Sequence, residues 1–207
     1  PDRYIWPSLK FGEVEYQAGE LSGDRVSLPG ESSYETVARF EHLNQLREKI
    51  SKGKFEQKHG RFEARIKMPW GKGIWPAFWM LGSNYPNPEW PACGEIDILE
   101  YAQSNSFRAQ STVHHPDNYG GGDSYTRTDY TDLHEKFYTY SLVWTKEALT
   151  FYVEDKPHHI VGNSCALPFN WDFNIILNFA MGGTFGGEID SSFTSETMEI
   201  DYVKVYQ

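Results

Sequence analysis

The stretch WPACGEIDILEYAQ, residues 90–103, sets three carboxylates, Glu95, Asp97 and Glu100, among residues that otherwise read as a buried strand. A regular β-strand turns alternate side chains to opposite faces, so Glu95 and Asp97 share a face and Glu100 points away from both. One extra residue inserted as a β-bulge shifts the phase, and positions i, i+2 and i+5 then line the same side. Ile96, Ile98 and Leu99 between the acids mark the strand as central.

Such a row has a chemical use. With one residue absorbed by the bulge, four steps of about 3.3 Å put the two Glu backbones roughly 13 Å apart. Long side chains leaning inward bring the carboxyls toward the roughly 5–5.5 Å that suits double displacement at a glycosidic bond. Carboxylates held this close raise one another's pKa, which leaves one Glu ionised as nucleophile and one protonated as acid, with the Asp holding a proton or hydrogen bond between them. On spacing alone, exposed strand residues or a cation site explain the same three acids.

The rest of the chain reads as strand after strand. Residues 61–69 (RFEARIKMP), 109–115 (AQSTVHH), 139–145 (TYSLVWT), 148–155 (ALTFYVED), 173–183 (FNIILNFAMGG) and 198–207 (MEIDYVKVYQ) are short, aromatic and β-branched, with alternating polarity. Residues 146–161 form a hairpin pattern, and only residues 32–51 offer a loose helical periodicity. Many short strands without βαβ alternation predict an all-β jelly-roll sandwich of two curved antiparallel sheets with an open cleft. No repeat or linker divides residues 1–207, so a single domain is expected, although the pattern is weak before residue 52.

A net charge of −10 argues against nucleic acid and anionic membrane surfaces as partners, because both require clustered basic residues. No apolar run reaches membrane-span length, and the N-terminus PDRYIWPSLK has no signal-peptide pattern, so a signal peptide, if one existed, has been removed. Seven Trp, 13 Tyr and 13 Phe fill a core and also offer flat faces for sugar rings. Cys93 and Cys165 fit one disulfide or two thiols equally well.

WPACGEIDILEY, with HGRFEARIKMPWGKGIWPAFWMLG (59–82) upstream and the closing MEIDYVKVYQ, resembles the bacterial laminarinase-like members of glycoside hydrolase family 16, whose signature is Glu-x-Asp-x-x-Glu on a bulged strand. The resemblance covers residues 52–207 and is absent from residues 1–51, which lack the family's Asn-Asn-Glu segment. It implies a secreted, monomeric, retaining endo-β-glucanase acting on β-1,3 or mixed β-1,3-1,4 glucans, with Glu95 as nucleophile, Asp97 as its helper and Glu100 as acid/base. It also implies that Glu63 and Arg65 line the glycone side, that Trp75 and Trp90 stack on sugars, and that His114 faces the cleft. Trp79 suits core and cleft equally, whereas Trp144 suits the core.

Asp201 matches a family calcium ligand on the convex side; catalysis itself requires no cofactor. Three rival functions share the resemblance. A galactan hydrolase of the agarase or carrageenase kind is disfavoured by the negative charge. A transglycosylase would use the same acids, and a non-catalytic glucan-binding module would have lost them.

Overall fold

The computed structural model describes residues 2–6, 9–11, 48–53, 55–120 and 125–206, with only the backbone described for 2–11 and 48–50. Among the described residues, fourteen strands build two antiparallel sheets. They are β1 (Asp2–Trp6), β2 (Leu9–Phe11), β3 (Glu48–Ile50), β4 (Glu56–Gln57), β5 (Gly60–Lys67), β6 (Ile74–Gly82), β7 (Glu95–Glu100), β8 (Gln110–His114), β9 (Tyr125–Arg127), β10 (Tyr138–Trp144), β11 (Ala148–Val153), β12 (Lys156–Gly162), β13 (Phe173–Met181) and β14 (Met198–Tyr206). The first sheet runs β1-β14-β5-β10-β11-β12, with β2 beside β14; the second runs β3-β13-β6-β7-β8-β9, with β4 beside β13. The architecture is an all-β jelly roll, as the strand spacing predicts.

Period-two alternation decides what fills the space between the sheets. Phe62, Ala64 and Ile66 of β5, Tyr140, Leu142 and Trp144 of β10, and Leu149, Phe151 and Val153 of β11 meet Phe78, Met80, Ile96, Ile98, Leu99, Phe173, Ile175, Leu177 and Phe179 of the other sheet. Trp144 is core, and its indole N–H donates to the Phe169 carbonyl at 3.2 Å.

Two expectations are corrected. Residues 32–47 of the helical reading lie outside the described residues, and its end, Glu48–Ile50, is a strand paired with β13. Strand β6 is not among the expected strands, yet it is central, between β13 and β7, even with Pro76 inside it. The Pro76 carbonyl accepts from the Tyr101 N–H at 3.2 Å. The donor that proline lacks would face that same side, just beyond Glu100, where the β7 ladder has ended.

Gly94 enters β7 with φ +82, and a Cβ there would lie 2.9 Å from Phe173 Cζ, so only glycine lets Glu95 start the strand in this position. Cys93 and Cys165 are free thiols, the first buried and the second exposed. Burial, with the Glu95 charge nearby, pushes the Cys93 thiol up to about 12, leaving it inert.

Candidate active site

Strand β7 is bulged between Asp97 and Glu100. On β6 its ladder steps from Asp97↔Trp79 to Leu99↔Phe78, and on β8 from Asp97↔Thr112 to Glu100↔Gln110. Ile98 is the extra residue. Ile98 and Leu99 therefore both enter the core, and Glu95, Asp97 and Glu100 all lie on the outer face of the second sheet.

All three acids are held above the ordinary carboxylate range. Burial is the main cause for each; Asp97 then adds to Glu95, and Glu100 adds to Asp97. Glu100 is partly drawn back by His114 and by two donors. Its Oε1 accepts from Trp75 Nε1 at 3.1 Å, and its Oε2 accepts from Thr112 Oγ1 at 3.3 Å. The protons of so coupled a row belong to the set rather than to any one acid.

His114 joins the same row, with Nε2 3.2 Å from Asp97 Oδ2 and 3.7 Å from Glu95 Oε1. Its ring lies 5.9 Å from Trp90, which meets the exposed Tyr119 edge-on at 5.6 Å. Trp75 lies 5.3 Å from Phe185 at the Glu100 end. Trp79 is buried on the acid-bearing side, with Ala77, Leu81, Cys93 and Ile176, and donates to Asn178 Oδ1 at 2.7 Å. His115 turns the other way, edge-on to Phe169.

Glu63 and Arg65 are not brought to this site. Their neighbours Phe62, Ala64 and Ile66 face the core, so both point outward from the first sheet, across the sandwich from the acids. Glu63 accepts from Arg61 Nε at 2.8 Å. Arg65 Nη1 donates to Asp201 Oδ2 at 2.8 Å, because Asp201 is the extra residue where β14 bulges between Ile200 and Tyr202. A hard cation at Asp201 would compete with that guanidinium, and among the described residues Asp201 joins no group of three ligating side chains. A calcium there would have to share the carboxylate with Arg65 and draw its other ligands from backbone carbonyls, and no step below uses a metal. Glu95, Asp97 and His114 do converge within 4.8 Å of one another.

Residues that strand alternation could have found are Gln110 and Thr112, which share a face with His114 on β8. Arg127 Nε donates to Gln110 Oε1 at 3.1 Å, and Gln110 Nε2 donates to Thr112 Oγ1 at 3.3 Å, so a polar chain ends on Glu100. Buried Asn105 was not legible. It lies in the turn after β7, donates to the Glu100 carbonyl at 3.2 Å and accepts from the Ala102 and Arg108 N–H groups at 3.1 and 3.3 Å.

Comparison with known proteins places the chain in a family. The family described as "Glycosyl hydrolases family 16" matches residues 34–204. A glucan endo-1,3-beta-glucosidase from Cryptopygus antarcticus is 37% identical over 165 residues, covering 70% of this chain and 61% of the relative. A beta-glucanase from Rhodothermus marinus is 33% identical over 177 residues, covering 76% and 60%. The crystal structure of a laminarinase from Flavobacterium sp. UMI-01 superposes with a TM-score of 0.74 at 39% identity, covering 77% of this chain and 72% of that one. The chain thus spans about 60% of the length of the first two relatives.

Proposed function

Because the chain belongs to glycosyl hydrolase family 16, we propose that residues 1–207 form the catalytic domain of a secreted, monomeric, retaining endo-β-glucanase that cleaves β-1,3 bonds in laminarin-like glucans and tolerates mixed β-1,3-1,4 linkages. The observation that carries the reading is the Ile98 bulge, which puts two glutamates and an aspartate in one row, Asp97 and Glu100 buried and Glu95 partly exposed. Among the described residues no helix is long and apolar enough to cross a membrane.

Glu95 attacks the anomeric carbon while Glu100 gives its proton to the departing glycosidic oxygen. Water then enters, Glu100 takes its proton, and the bond to Glu95 breaks with the configuration restored. Asp97 holds a proton next to Glu95, which lets the nucleophile be the ionised member of the row. His114, with Nε2 beside Asp97 and Glu95, is the imidazole the row offers to a sugar hydroxyl, and Trp75 and Trp90 supply stacking faces at the two ends of the row.

Separate digests of laminarin, lichenan, agarose and carrageenan, with the products sized, test the proposal. Oligosaccharides of several lengths are expected from laminarin, fewer or none from the galactans. No release from either β-glucan would overturn the assignment.

A further inference from the structure

We infer that Ser111 and His158 are positioning residues for the acid row, acting through the Ile98 bulge; the inference rests on reading Glu95 and Glu100 as the catalytic pair. Ile98 and Leu99 together face the single residue Ser111 across the β7–β8 ladder. The ladder cannot serve an extra carbonyl, and Ser111 Oγ supplies the missing donor, 2.8 Å from the Ile98 oxygen. A serine hydroxyl has one hydrogen. With that hydrogen on Ile98, the 3.0 Å contact between Ser111 Oγ and His158 Nε2 must be donated by the imidazole. The contact therefore selects the Nε2–H tautomer and leaves Nδ1 bare; Nδ1 is buried and has no hydrogen-bond partner.

His158 reaches this position through a second bulge. On β12 it is the residue inserted between Phe151↔His159 and Tyr152↔Pro157. A bulge in the first sheet thus aims an imidazole across the sandwich at the bulge in the second, which sets the phase of Glu100 against Glu95. Burial, with His159 beside it, holds His158 down to about 4, so the ring stays neutral and keeps donating throughout the working range. Were the link lost, the Ile98 carbonyl would swing to find another donor, and Glu100, two residues on, would move with it. Displacements well under an ångström matter when proton donor and nucleophile must converge on one bond.

Two measurements test the relay. Nitrogen-15 NMR of His158 in the intact protein should show Nε2 protonated and Nδ1 bare at pH 6; a proton on Nδ1 would overturn the relay whatever the activity. In kinetics on laminarin, Ser111→Ala and His158→Leu should each lower kcat about tenfold, the scale of one lost hydrogen bond, with KM within twofold and an altered pH–rate profile. His158→Gln, which keeps an N–H to donate, should recover most of kcat. With the wild type active, unchanged kcat and pH profiles in Ser111→Ala and His158→Leu would overturn the inference even if both melt earlier. An inactive wild type would instead remove the reading of the site, and the tautomer would still decide the relay.

Discussion

The indole N–H of Trp75 donates to Glu100 Oε1 at 3.1 Å, so the aromatic wall of the site also tunes its acid. A donor to a carboxylate favours the charged form, and this one opposes the burial that raises Glu100. Trp75→Phe keeps a ring for stacking and removes the donor. The basic limb of the pH–rate profile should move to higher pH, with kcat changed roughly two- to tenfold and KM changed less. A limb that stays in place would separate Trp75 from acid tuning.

Glu95 and Glu100 should fail differently when truncated. Glu95→Ala should lose hydrolysis by on the order of a thousandfold or more, yet react with an α-glycosyl fluoride plus azide or formate, because the vacated space admits a small nucleophile. Glu100→Ala should lose about 10²–10⁴-fold on poor leaving groups and far less on aryl glycosides that depart without a proton. Reversed rescue patterns in steady-state assays would exchange the two roles.

Stability should carry the mark of the buried acids. Asp97 has a folded pKa raised well above its free value, so the folded state binds protons that the unfolded state has released, and stability falls as pH rises from about 4 toward the folded value. Asp97→Asn cannot ionise. Its Tm should exceed that of the wild type by a few degrees at pH 7, and the gap should close below about pH 3, under the unfolded pKa, where the wild-type carboxyl is protonated in both states. Calorimetry at the two pH values checks the sign; an equal gap at both would assign the effect to packing.

The all-β architecture was legible because each strand alternates, and the acid row because a bulged strand brings Glu95, Asp97 and Glu100 to one face, a reading that the family resemblance favoured over exposed acids or a cation site. The placement of Glu63 and Arg65 was not. Alternation says that they share a face but not which sheet takes β5, and that choice depends on pairing with β10 and β14, more than 70 residues away. Asn105 and the link from His158 to Ser111 were illegible for a related reason: Asn105 serves the Glu100 carbonyl at the end of β7, and Ser111, held by His158, serves the Ile98 carbonyl of the bulge, so both depend on where that strand's ladder breaks.

Arg65 and Asp201, pointing away from the acids, supply a further check. Arg65→Gln should leave kcat and KM on laminarin within about twofold and lower stability by about 0–1 kcal/mol, as for a half-exposed ion pair. With the Asp201 carboxylate engaged by Arg65, excess chelator should leave Tm unchanged. A chelator-dependent fall in Tm, reversed by calcium, would restore the cation site.

The most direct test of the account is the anomeric configuration of the first product released from laminarin, followed by proton NMR before mutarotation. The bulged row, with Glu95 and Glu100 on one face and Glu95 raised by burial and in part by the neighbouring Asp97 and Glu100 charges, predicts that the β-anomer appears first. Initial appearance of the α-anomer would mean that a water stands between the two carboxylates, and would contradict Glu95 as nucleophile.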